Sequence, residues 1–240
     1  MMDKAKQDDG TNIKAIRDTS MALFDAVPIR EPKGLKGMGI VQHPFVSTIF
    51  WTDREGNTIS FLDPSHIEKC RGTYHDAIYT GTVGGIYCMV RNPFKMTWFN
   101  YCNHYLNEED YGKYLRDSWT MEENPNQDVN VSRRRAIQLF KKAKKKHLMN
   151  EEEYKYYDAL PEKLTVWRGV SPGRERLGLS WTDDRETAEW FRKRFERDGK
   201  KGYLLEAEIG KAEVLAYFNG RNENEIVVDV FKIKKQIREI

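Results

Sequence analysis

The amino-acid sequence predicts an α+β protein whose C-terminal half contains a mainly antiparallel β-sheet. Apolar strand segments between residues 164 and 232 are interrupted by one amphipathic helix, so strands and helices do not alternate regularly. A doubly wound parallel sheet needs that alternation, and the sequence therefore argues against a classical nucleotide-binding fold. Segments of helical periodicity precede the strands and supply flanking helices.

The composition is that of a folded protein without a membrane segment. The chain has 240 residues, enough for one large domain or two small ones, and 12% of them are aromatic. No apolar run reaches the length of a membrane span, and the first ten residues are polar rather than a basic start followed by an apolar stretch. We therefore expect a cytoplasmic protein without a membrane partner.

The cysteines predict neither a disulfide framework nor a metal site. There are three, Cys70, Cys88 and Cys102, an odd and sparse set that suits a reducing compartment. Cys102 and His104 form one metal-like pair, but no second pair accompanies them. We expect buried thiols and no metal.

Residues 1–120 are predicted to form an N-terminal α/β extension ahead of a domain at 121–240. Residues 46–51 and 58–62 resemble two strands of a β-hairpin, with Gly56-Asn57 in the turn. An aromatic stripe from Trp98 to Trp119 has helical spacing and is typical of a buried helix face. The sequence leaves two roles open for the extension, target recognition and structural support.

The C-terminal half shows a regular series of predicted elements. Ser132 is a candidate N-cap for a helix that starts near Val131, and a second helix ends at Pro161. The predicted elements that follow are a strand at 164–168, a strand at 178–182, a helix at 184–197 and strands at 203–209, 214–218 and 226–232.

Eight basic residues crowd into the segment 133–146. Such a segment could be an electrostatic footprint for nucleic acid. It could equally be a solvated helix face or the rim of a helix–helix contact. The acidic run 151–153 follows directly and favours the second interpretation.

Three segments of the C-terminal half carry polar residues suited to one site. Arg168 ends a strand, and Ser180 and Thr182 lie on one face of the next strand, with Trp181 on the other face. Glu223-Asn224-Glu225 directly precedes an apolar, β-branched strand. The tripeptide Ser118-Trp119-Thr120 repeats the serine strand, but it follows a helical stripe and is interpreted as a helix end.

Over residues 160–240 this arrangement resembles the arginine–serine–glutamate signature of the ADP-ribosyltransferase superfamily. The resemblance implies an ADP-ribosyltransferase-like fold in which the three segments meet at one cleft that binds NAD as a co-substrate, without a metal. Thr182 stands where the pattern often has serine, which keeps the hydroxyl. Residues 1–120 carry no such resemblance.

The resemblance also implies a role for each residue. Glu225 would hold the ribose 2′-hydroxyl and stabilise the positive charge that develops on the sugar, and Ser180 would orient Glu225. Arg168 would bind a pyrophosphate or ribose oxygen, and Glu223 would orient or deprotonate the acceptor. An ordinary interstrand ion pair of Arg168 with Glu225 is the structural alternative. The other candidate NAD-binding residues are Gly169, Trp181, Thr182, Arg174 and Tyr217.

The implied activity is mono-ADP-ribosylation of a macromolecule. A protein arginine suits the Glu223-x-Glu225 pair, whereas a nucleic acid, including RNA, suits the basic segment. Proteins of this type resemble bacterial or phage toxins, which implies a possible antitoxin or other neutralising partner. Two alternatives stay open: an NAD glycohydrolase with water as acceptor, and an inactive module that binds nucleic acid or protein.

Overall fold

The chain divides into two compact units, residues 1–107 and 108–240. The computed structural model describes residues 10–53, 55–61, 63–125, 128 and 130–240, so the predicted tail at 1–9 lies outside the described residues. The division differs from the predicted boundary after residue 120, because the helix at 108–120 packs within the C-terminal unit. Gly112 of that helix touches the backbone of His147 so closely that a Cβ there would lie 2.5 Å from the His147 carbonyl carbon.

Within its described residues, the N-terminal unit combines four α-helices with the predicted hairpin. Trp98 is fully buried, and its Nε1 donates to Ser20 Oγ at 2.9 Å. The hairpin strands are shorter than predicted, and residue 62 lies outside the described part of the chain. The elements are α1 (Ile13–Ala26), β1 (Phe50–Thr52), β2 (Thr58–Ser60), α2 (Pro64–Thr80), α3 (Val83–Met89) and α4 (Lys95–Cys102).

The helices of the C-terminal unit begin at polar caps. Ser132 accepts a hydrogen bond from Arg135 N at 3.2 Å and caps the helix that follows, as predicted. Asn150 and Glu153 form a reciprocal capping box at the next long helix. The helices are α5 (Glu108–Thr120), α6 (Arg133–Lys142), α7 (Lys145–Leu148), α8 (Glu151–Ala159), α9 (Arg185–Lys193) and α10 (Val230–Ile233).

Six strands of the C-terminal unit form one sheet, and all of the described pairings in it are antiparallel. This confirms the prediction of an α+β protein with an antiparallel sheet. The strand order is β6-β7-β4-β3-β5-β8. The strands are β3 (Lys163–Val170), β4 (Ser180–Thr182), β5 (Tyr203–Gly210), β6 (Val214–Phe218), β7 (Glu225–Val228) and β8 (Arg238–Glu239).

The last predicted strand, 226–232, is wrong in its second half. Strand β7 ends at Val228, and Asp229 stands at the N-cap position of the short helix α10. The buried carboxylate of Asp229 pairs with Lys141 at 2.6 Å. A charged side chain fixed at this point ends the apolar strand, although the apolar residues continue beyond it.

The register of the sheet places two polar residues, Thr182 and Glu225, side by side near its centre. Thr182 lies opposite Trp167 of β3 and opposite Glu225 of β7. Phe218 of β6 lies opposite Glu225 on the other side. Directly paired residues share a face of the sheet, so these four side chains form one row. The row places Glu225 between polar and aromatic neighbours.

Most of the basic segment 133–146 contacts its own unit. Arg133 pairs with Glu175 at 2.7 Å, Lys141 pairs with Asp229, and Lys145 donates to the Leu215 carbonyl. Burial lowers the pKa of Lys145 to about 8. These contacts favour a packing role over nucleic-acid binding, although the partners named here lie in β6 and in connecting residues and not in the helix–helix contact that was predicted.

Within the ranges that the structure describes, no helix has the length and apolar character needed to cross a membrane.

Candidate functional site

A cleft in the C-terminal unit brings together the three predicted segments. Strands β3, β4 and β7 form its floor, and the C-terminal end of α5 and residues 122–125 form one wall. Its cavity volume is about 110 Å³. The predicted residues that line it are Arg168, Gly169, Arg174, Ser180, Trp181, Thr182, Glu223 and Glu225.

Glu225 is a buried carboxylate held by two donors. It is 8% exposed, and its Oε1 accepts a hydrogen bond from Trp119 Nε1 at 2.8 Å. Burial raises the pKa of Glu225 above its usual value, and hydrogen bonds from the Ser180 and Trp119 side chains offset only part of that rise. The site therefore holds a carboxylate in a fixed orientation and in dry surroundings.

Trp119 is a site residue that the sequence analysis missed. It lies in the last turn of α5, is 1% exposed and packs edge-on against Phe140. The sequence pattern places Trp119 at the end of an apolar helical stripe, which correctly predicts that its ring is buried. No local pattern shows that its N–H reaches a carboxylate 106 positions later in the chain.

The guanidinium of Arg168 donates hydrogen bonds to backbone carbonyls of β4 and of the loop before it. Nη1 donates to the Ser180 carbonyl at 2.6 Å, and Nη2 donates to the Glu175 carbonyl at 3.0 Å. Gly178 is required beside it, because a Cβ there would lie 2.2 Å from Nη2. Burial lowers the pKa of Arg168 to about 10.

The contacts of Arg168 bear on the interstrand ion pair that the sequence left open as the structural alternative. No direct ion pair joins it to Glu225 among the described contacts, although the Glu225 charge raises the pKa of Arg168. Both Nη groups are engaged by backbone, so the full fork does not face a ligand. The buried Nε has no hydrogen-bond partner within the described structure.

Glu223 stands on a tightly turned loop between β6 and β7. Its neighbours Asn222 and Asn224 have φ values of 56° and 44°, in the left-handed region that asparagine tolerates better than most residues. Its Oε2 accepts from Arg221 Nη2 at 2.7 Å. The carboxylate of Glu223 is thus already paired with a guanidinium.

The Glu153 network anchors that loop and α5 together. Glu153 is 3% exposed, and its Oε1 accepts from Arg116 of α5 at 3.0 Å and from the Asn219 backbone N–H at 2.9 Å. Its Oε2 accepts from the Asn150 N–H at 3.0 Å. One buried carboxylate therefore connects α8, α5 and the loop that carries Glu223.

A second hollow, of about 260 Å³, also borders the two glutamates. Its lining includes Arg116, Phe218 and Arg221 besides Glu223 and Glu225. The two hollows share Arg221, Glu223 and Glu225. The two glutamates therefore lie at the border of both hollows.

Tyr217 was predicted to stack on a ligand, and the structure places it outside the cleft lining. Its ring stacks on Tyr156 at 4.1 Å, and its hydroxyl donates to Asn224 Oδ1 at 2.9 Å. It is 4% exposed because it lies in strand β6, whose residues are all buried. Its contacts support the loop rather than a ligand.

Gly169, Trp181 and Thr182 line the cleft mainly as structural elements. A Cβ at Gly169 would lie 2.0 Å from the Ala188 carbonyl oxygen, so glycine lets α9 pack on β3. Trp181 Nε1 donates to the Gly178 carbonyl at 3.0 Å. Thr182 Oγ1 accepts from the Asp184 N–H at 3.1 Å and fixes the start of α9.

Arg174 stands at the mouth of the cleft beside Arg194. Both contact Glu123, at 3.6 Å from Arg174 and 3.0 Å from Arg194. Phe195 lies 5.1 Å from each guanidinium. The mouth therefore carries two cations that an anionic ligand could share with Glu123.

The described part of the chain contains no group of three or more His, Cys, Asp or Glu residues placed to hold a metal ion. Comparisons of the chain with protein-family models, with curated proteins and with solved structures find no match.

Proposed function

We propose that residues 108–240 form an ADP-ribosyltransferase-type catalytic domain that cleaves NAD and transfers ADP-ribose to a macromolecule. The observation that supports this most is the environment of Glu225. A buried carboxylate receives hydrogen bonds from Ser180 and Trp119, in a cleft that Arg168 also lines. Arg168, Ser180 and Glu225 come from three segments of the chain. An ordinary interstrand ion pair would not account for the presence of all three in one cleft.

The geometry suits cleavage of a glycosidic bond. Loss of nicotinamide builds positive charge on the ribose, as in glycoside hydrolysis. A preoriented carboxylate in a water-poor cleft stabilises such charge strongly. In this proposal Glu225 stabilises the sugar cation, and Ser180 and Trp119 keep its orientation.

The cleft fits part of the dinucleotide. Its volume of about 110 Å³ is below the roughly 300–1,000 Å³ of pockets that enclose whole ligands. The enclosed part would take the nicotinamide riboside end, where Arg168 Nε is an unused donor. The phosphates would lie along the mouth, where Arg174 and Arg194 supply positive charge.

Glu223 is the proposed acceptor-orienting group. It lines the cleft and the second hollow, so it borders the space next to the proposed NAD site. Arg221 must move aside or turn away for an external group to bind there. If water binds instead, the same site acts as an NAD glycohydrolase.

The direct test uses NAD labelled in its adenosine part. We expect nicotinamide release and label on a macromolecule when the protein is mixed with a cell lysate. Free ADP-ribose without a labelled macromolecule would instead support the glycohydrolase. No nicotinamide release and no NAD binding in calorimetry would contradict the proposal and leave a binding module.

Trp119→Phe is expected to move the acid limb of NAD turnover to higher pH. The variant removes one hydrogen bond that lowers the pKa of Glu225, so the carboxylate becomes protonated at a higher pH. We expect turnover at neutral pH to fall about tenfold, which corresponds to the loss of one charge-assisted hydrogen bond. The measurement is the pH dependence of kcat/KM for nicotinamide release.

Trp190→Phe is the matched control for Trp119→Phe. Trp190 is 55% exposed and lies on α9, so its substitution should leave the acid limb in place. An identical pH profile for both variants and the wild type would show that Trp119 does not position Glu225.

A further inference from the structure

We propose that single-stranded nucleic acid binds a basic groove next to the cleft. The basic groove is a hollow of about 570 Å³ at the end of α9. We infer further that the acceptor of ADP-ribose reaches the cleft through this groove, and this step rests on the proposed function. The binding of single strands to the groove does not. The groove is lined by Pro172, Gly173, Arg174, Arg194, Phe195, Glu196, Arg197 and Lys200.

The charge of the basic groove suits a polyanion. Four of its lining residues are cationic and one, Glu196, is acidic. Glu196 already accepts from Arg192 at 3.1 Å. The lining stays net positive even when Glu123, which contacts Arg174 and Arg194, is included. Such a concentration of cations attracts phosphate groups.

Exposed aromatic rings beside these cations indicate bases as well as phosphates. Trp190 is 55% exposed and Phe195 is 41% exposed. The Arg194 guanidinium lies 5.1 Å from each ring. A basic groove with accessible rings is typical of single-strand binding, because unpaired bases stack on the rings while cations follow the backbone. A duplex keeps its bases stacked and offers the rings no such face.

The basic groove is continuous with the cleft. Arg174, Arg194 and Phe195 line both hollows. A strand bound in the groove would therefore place a nucleotide near the cleft mouth. The basic segment 133–146 lacks this continuity, and Arg133, Lys141 and Lys145 are engaged within the unit. The structure thus favours the groove over the segment that the sequence singled out.

The test is binding of fluorescently labelled single strands of about 20 nucleotides, enough to exceed a typical single-strand site. RNA and DNA single strands, the same DNA as a duplex, and poly-glutamate are compared without NAD. We expect one or both single strands to bind more tightly than the duplex and poly-glutamate. Equal binding of single strand and poly-glutamate would overturn the proposal and indicate an acidic protein partner.

Two variants locate the binding site. Lys200→Glu should weaken binding and reduce the salt dependence by about one to two counterions, because it reverses a groove charge. Trp190→Ala should weaken binding about tenfold with an unchanged salt slope, since it removes stacking rather than charge. Lys146→Glu, an exposed lysine of the basic segment, is the matched control and should leave binding unchanged.

The outcomes separate this inference from the proposed function. An effect of Lys146→Glu as large as that of Lys200→Glu would overturn the groove as the site. Nicotinamide release without single-strand binding would refute the groove and leave the NAD activity standing. Single-strand binding without NAD turnover would support the groove and refute the catalytic proposal.

Discussion

Glu225→Gln is expected to lower NAD turnover about a thousand-fold, comparable to the loss of a main electrostatic contributor in other enzymes. The amide has nearly the same shape and can still accept from Trp119, but it carries no charge to stabilise a cationic sugar. Burial already disfavours the charged form, so the substitution should not destabilise the unit. Nicotinamide release and the urea midpoint of unfolding measure the two effects separately.

Glu223→Gln is the matched control for that experiment. It changes the neighbouring carboxylate of the same loop, which the proposal assigns to the acceptor and not to the sugar. We expect transfer to the acceptor to fall far more than cleavage of NAD. Full turnover by Glu225→Gln, or equal loss of cleavage in both variants, would contradict the separate roles.

Gly169→Ala is expected to destabilise the C-terminal unit by about 3 kcal/mol or more, in the range of severe overpacking. The added Cβ would lie 2.0 Å from the Ala188 carbonyl oxygen and 2.4 Å from the Arg192 backbone nitrogen. Both are backbone atoms of α9 and its end, so no side-chain rotation relieves the clash. Helix α9 would have to move away from β3, which is measurable as a lower urea midpoint.

Gly220→Ala provides the comparison in the same unit. The nearest atom to a Cβ at Gly220 is Arg116 Nη2, at 3.9 Å, which is ordinary contact. Stability should change by less than about 0.5 kcal/mol. If Gly169→Ala were equally neutral, the packing of α9 on β3 would be looser than the structure shows.

The strands of the sheet were largely predictable because each is a short apolar run between turn residues. Four of the predicted runs match β3 to β6 to within two residues at each end. The run 226–232 failed because apolar residues continue past Asp229, and only the tertiary pair with Lys141 marks where the strand ends. The first strand of the hairpin was overextended for a similar reason, since Val46 and Ile49 are apolar but lie outside β1.

The candidate site was predictable where its residues follow a local pattern. Ser180 and Glu225 begin β4 and β7, Arg168 lies two residues before the end of β3, and the structure brings all three to one cleft. Trp119 could not be predicted, because its hydrogen bond to Glu225 depends on how α5 packs. Tyr217 was placed at the ligand because it is close to Glu225 in sequence, and sequence distance does not show that its side chain is buried in β6.

The Glu153 network determines when the residues of the site become ordered. Helix α5 carries Trp119, which donates to Glu225, and the β6–β7 loop carries Glu223. The Glu153 side chain contacts both elements and so fixes them relative to each other. Their relative placement is fixed during folding, before any substrate arrives. The conformational entropy of these segments is therefore lost when the protein folds. Substrate binding does not have to order them again.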